Sequence, residues 1–90
     1  MSETINEIRR RLSALEPLTL DIEDDSALHA GHEGARGGGG HYRVKIVSAA
    51  FSGLRTVARH RLVYEALGEM MRAQIHALGI EALAPDEIRI

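Results

Sequence analysis

Ninety residues are enough for one small domain with a single modest core. A hydrophobic share of 44% suits a folded chain, and Tyr42, Phe51 and Tyr64 are its only large aromatics, so the core must be built of Leu, Ile, Val, Ala and Met. The net charge of −2 gives no overall field for nucleic acid or an anionic membrane, and the lack of Cys excludes disulfides and any thiolate metal site made by this chain alone.

Residues 4–15 read as a first helix, because Ile5, Ile8, Leu12 and Leu15 make one stripe. Thr4 and Glu7 have capping-box spacing, and Pro17 stops the helix. The N-terminal MSETINEIRR is charged and has no apolar signal core, so a cytoplasmic location is the expectation. Residues 18–23 alternate, with Leu18, Leu20 and Ile22 against Thr19, Asp21 and Glu23, which predicts a half-buried strand. Residues 41–48 alternate likewise, with Tyr42, Val44 and Ile46 against Arg43 and Lys45. Between them, residues 24–41 form a long His- and Gly-rich loop, expected to be flexible at Gly37 to Gly40. It carries His29 and His32, and His41 opens the next strand.

After a turn over 49–56, Val63, Leu67, Met70, Met71, Ile75 and Leu78 recur at helical spacing. They predict one long helix from Val57 to Leu78, stopped by Gly79. On it His60 faces the apolar arc, while His76 shares the polar side with Glu65, Glu69 and Arg72. Residues 80–84 predict a third strand, and Pro85-Asp86-Glu87 a terminal helical turn. The expected class is α+β: a single domain over 1–90, in the order α-β-β-α-β, with two main helices on one face of a three-stranded mixed sheet.

Four strings resemble, in order, the BolA-like family, whose fold is similar to the class II KH domain. They are DDSALHAGH (24–32), HYRVKIVSAAF (41–51), RHRLVYEAL (59–67) and IHALGIEALAP (75–85). The pairing of RHRLVY with IHAL at this separation is the specific part. The resemblance implies an adaptor role in iron–sulfur cluster assembly, trafficking or repair. The implied partner is a monothiol glutaredoxin of the CGFS type, sharing a [2Fe–2S] cluster, with one protein thiolate and one from glutathione. A Cys-free chain can add only His or carboxylate ligands to such a cluster, as imidazoles replace thiolates in Rieske centres. Alone, the chain is expected to be a monomer without a cofactor.

The resemblance makes His76 the first ligand candidate; the bland alternative is a surface histidine near a helix C-terminus. For the second ligand it ranks His29 first, His41 second and His32 third. The three together are a weaker candidate site for a lone Zn²⁺ or Cu²⁺, since a Gly-rich loop is poorly preorganised. His60 is expected to be structural, hydrogen-bonded in or beside the core.

Arg43, Lys45, Arg55, Arg59 and Arg61 are a candidate basic patch for phosphates. The KH-type RNA reading fails, since FSGLRT before the long helix has a single Gly where GXXG is needed. Duplex DNA binding by a transcriptional regulator is the runner-up. No Cys nucleophile, GxSxG or P-loop is present, so no catalytic residue is assigned.

Overall fold

The computed structural model describes residues 3–25 and 40–88. The loop ligand candidates His29 and His32 therefore lie outside the described residues, as do Gly37 to Gly39. The Ile8 and Leu12 stripe forms α1 (Glu3–Leu12), which ends in a 3₁₀ turn at Ser13–Leu15. Strand β1 (Thr19–Asp24) pairs antiparallel with β2 (Gly40–Val47). A 3₁₀ turn at Ala49–Phe51 leads into α2 (Thr56–Leu67). A second such turn, Gly68–Arg72, leads into β3 (Ile75–Leu83), which pairs parallel with β2. The expected terminal turn forms at Pro85–Glu87. The α-β-β-α-β order and the mixed sheet, ordered β1-β2-β3, agree with the sequence. Among the described residues no helix is long and apolar enough to cross a membrane.

One predicted element is corrected. The single helix over 57–78 is a helix to Leu67, a 3₁₀ turn and the first part of a strand. Gly68 ends α2 at φ 56° and ψ −127°, backbone that disfavours any residue with a Cβ. Its N–H donates back to the Tyr64 carbonyl, and the Arg11 guanidinium donates to the Leu67 carbonyl at the helix end (3.0 Å). Gly79, expected as the helix stop, sits inside β3 opposite Arg43. His76 is thus a strand residue, not one on the polar side of a helix.

Both helices cover one sheet face. Ile8 and Leu12 of α1 and Val63 and Leu67 of α2 pack with Tyr42, Val44 and Ile46 of β2, and Phe51 and Met70 close the core. On the other face charges alternate across the strands: Asp21, Lys45 and Glu81 are in register, as are Glu23 and Arg43. Ser48, 1% exposed, ties the layers: its hydroxyl donates to the Leu15 carbonyl (2.5 Å) and accepts from the Ala50 N–H (3.0 Å).

Arg59 holds the C-terminal turn. Its side chain, 12% exposed, donates to the Leu54 and Ala82 carbonyls and, through both Nη atoms, to the Glu87 carboxylate. These bonds, with the Ala84 N–H, hold the Glu87 carboxyl at about 2, below its ordinary 4.5. A carboxylate depressed on folding stabilises the fold above its unfolded value, and that contribution fades as the pH falls through the folded one. We expect the melting temperature to drop between about pH 4.5 and pH 2, and part of that drop to vanish in Glu87→Gln. Thermal melts across this range, at low and high salt, check it; identical pH profiles for the two proteins would refute the clamp.

Candidate functional site

The two histidines come together where β2 and β3 begin. The Gly40 N–H donates to the Gln74 carbonyl (2.9 Å), and the Asp25 N–H donates to the His41 carbonyl (2.7 Å). These bonds pin the strand start to both neighbours. From Tyr42 to Val47 the register with β3 is regular, and it shifts between Gly40 and His41. Gly40 faces Ile75 and His41 faces Ala77, so His76 is an extra residue with no opposite number, a β-bulge. Ile75 turns into the core and His76 is exposed. The His41 and His76 ring centroids stand 5.2 Å apart, with the rings inclined at 49°. His41 is half-buried, its Nε2 shielded from solvent. A cavity of ≈ 330 Å³ that includes His41 but not His76 is lined by Asp25, Tyr42, Arg43, Ala77, Leu78 and Gly79 as well.

This spacing suits shared ligation. A metal–imidazole bond of about 2.1 Å puts each ring centroid about 3.2 Å from the ion, so two rings on one tetrahedral ion lie about 5.2 Å apart. Among the described residues no group of three or more His, Asp or Glu side chains could hold a metal. Such a pair can complete the coordination of an ion whose remaining ligands arrive on another molecule.

The structure thus brings together His76 and His41. His60 lies elsewhere, half-buried on α2, beside a groove lined by Val57, Arg61, Tyr64 and Glu65. The five basic candidates do not form one patch. Arg43 and Lys45 are on the sheet face opposite the helices, where Arg43 pairs with Asp25 (3.2 Å) and Glu23 (4.0 Å), and Lys45 stands between Asp21 and Glu81. Arg59 is bound to Glu87, which leaves Arg55 and Arg61 exposed around the start of α2. Tyr42, which lines the cavity, and Gly40, where a Cβ would meet the Tyr42 ring, are not singled out by the sequence; the one signal is a glycine immediately before a strand histidine.

The BolA-like protein family model matches residues 12–87. SufE-like protein 1, chloroplastic/mitochondrial, of Arabidopsis thaliana is 42% identical over 87 residues, covering 90% of this chain and 24% of that protein. Its BolA domain superposes with a TM-score of 0.85 at 39% identity, covering 98% of this chain and 99% of the domain. Protein BOLA1, chloroplastic, of the same plant is 49% identical over 76 residues, covering 81% of this chain and 48% of that protein. The DNA-binding transcriptional regulator BolA of Haemophilus influenzae is 39% identical over 72 residues, 80% of this chain and 67% of that protein. The chain spans about half or less of the length of the two plant relatives. With the motif strings in order, the sheet topology and a family match from residue 12 to residue 87, the chain belongs to the BolA-like family.

Proposed function

We propose that this protein is an adaptor in iron–sulfur cluster assembly or trafficking. It binds a CGFS-type monothiol glutaredoxin and lends imidazoles to a [2Fe–2S] cluster, its cargo, held between the two proteins. The observation that carries this reading is the His41–His76 pair, 5.2 Å apart at one end of the sheet. In this role His76 is the first ligand and His41 the second, with glutaredoxin and glutathione thiolates on the other iron. His41 takes precedence over His29 because its strand holds it beside His76. Two neutral imidazoles in place of two thiolates make the cluster less negative and raise its potential.

Cluster reconstitution on the glutaredoxin, with and without this protein, tests the reading by visible absorption and circular dichroism. Addition of the wild type should change the spectrum; His76→Ala should abolish that change, and His41→Ala should abolish or strongly reduce it. His60→Ala should leave the spectrum intact. A heterodimer whose spectrum ignores His76→Ala would end the proposal; one that ignores His41→Ala but responds to His29→Ala would move the second ligand to the loop.

The name of the Haemophilus influenzae relative supports a second reading, duplex DNA binding. Arg55 and Arg61 would be its phosphate contacts, since Arg43 and Arg59 are engaged by carboxylates. Salt-sensitive DNA binding weakened by Arg55→Ala and Arg61→Ala, and tighter than glutaredoxin binding, would favour it.

A further inference from the structure

The residues of β3 that pack against the core are Ile75, Leu78, Ile80 and Ala82. The first interval is three residues, where a regular strand alternates every two. The extra residue lies where the register slips opposite Gly40 and His41. As a result His76 and Ala77 are both exposed, and His76 is turned toward His41. Bulges are rare between parallel strands and concentrate where a side chain has to be re-aimed. Without this one, strict alternation back from Leu78 would bury His76 and expose Ile75.

The other half of the arrangement is on β2. A methyl at Gly40 would stand 2.5 Å from Tyr42 Cε2 and 2.8 Å from Cζ, well inside contact distance. The Tyr42 ring is 8% exposed and belongs to the core, so it has little room to yield. It fills the place that a side chain on residue 40 would take, across from Ile75, the last residue before the bulge.

We propose that Gly40, the Tyr42 ring seated against it and the bulge at His76 form one positioning device. It sets the two imidazoles at ligand spacing in the free protein, before any partner binds. Its use in cluster binding rests on the function proposed above, but the device itself is a property of the isolated chain. Side chains already held in place lose less freedom when they are engaged. Gly40 and Tyr42 are positioning residues, since they act through His41 and His76.

The test is the nuclear Overhauser cross-peak between the His41 and His76 ring protons in the isolated protein, with Val63 and Leu67 methyl resonances reporting the fold. The wild type should show it. Gly40→Ala should lose it while the core signals persist, and Tyr42→Leu should lose it by removing the ring. Gly40→Ala/Tyr42→Leu should recover it, because the new methyl enters the vacated space. With glutaredoxin, Gly40→Ala should alter the cluster's circular dichroism although both histidines remain. A cross-peak kept in either single variant, or absent from the folded double variant, would overturn the device. If Gly40→Ala fails to fold, Tyr42→Leu and the double variant decide. A wild type that shows the cross-peak but binds no cluster with glutaredoxin would sink the adaptor reading and spare the device.

Discussion

Truncating Phe51 to alanine should cost about 3–5 kcal/mol, the range for deleting a buried aromatic ring. The ring is 0% exposed and sits in the turn between β2 and α2, packed in the same cluster as Ile8, Leu12, Val63 and Leu67. Neighbours drawn from two helices and the sheet cannot all collapse into the space it leaves, so the cost combines the lost transfer free energy with a penalty for the cavity. A domain of this size has a total stability of about 5–15 kcal/mol, so the variant should be near its unfolding threshold at 37 °C. Phe51→Leu keeps most of the volume and should lose less than Phe51→Ala. Urea unfolding followed by circular dichroism measures both. A midpoint for Phe51→Ala within error of the wild type would show that the ring is not a core element.

Gly68→Ala should cost about 2–3 kcal/mol through two separate effects. At φ 56° and ψ −127° a Cβ meets its own backbone. That Cβ would also lie 3.2 Å from Arg11 Nη1, the donor that caps the Leu67 carbonyl, and would push it out of line. Gly53→Ala is the control: its φ is 78°, but nothing lies within 4 Å of the added carbon, so only the backbone effect applies. Denaturation of the two variants should therefore rank Gly68→Ala as the more damaging. An unchanged or raised stability for Gly68→Ala would mean that α2 runs on through this position.

A continuous helix is what the apolar spacing of residues 63–78 predicts, and the reason it misleads is local. Ile75 and Leu78 both reach the core three residues apart, an interval that a helix produces routinely and a strand produces only with an inserted residue. The bulge makes strand residues look helical. Gly68 is the contrary signal, but a single glycine inside a helical pattern is weak against six apolar residues at helical spacing. Strands β1 and β2 are legible because their alternation holds within the strands: Leu20 and Ile22 face Ile46 and Val44, although Leu18, expected on the same face, precedes β1 and is 66% exposed. His76 was recognised as an outward-facing candidate through its motif, although the element carrying it was misassigned. The resemblance ranks His29 above His41; that His41 stands beside His76 follows only from the parallel pairing of β2 with β3, and parallel register leaves no local trace in a sequence. The basic patch failed for a related reason. Alternation put Arg43 and Lys45 on one side of the sheet, while the helix carrying Arg59 and Arg61 packs on the other.

The strand that carries His76 also lies at the border of the sheet, with a neighbour on one side only among the described residues. Such a border invites a second molecule to add a strand of its own, the usual first step toward aggregation. Here the invitation is withdrawn at both ends. The inserted residue bends the strand at its start, and the Arg59 guanidinium occupies the Ala82 carbonyl near its finish. The irregularity that aims an imidazole outward is thus also one of the features that blunt a sheet edge, here at the start of a nine-residue strand.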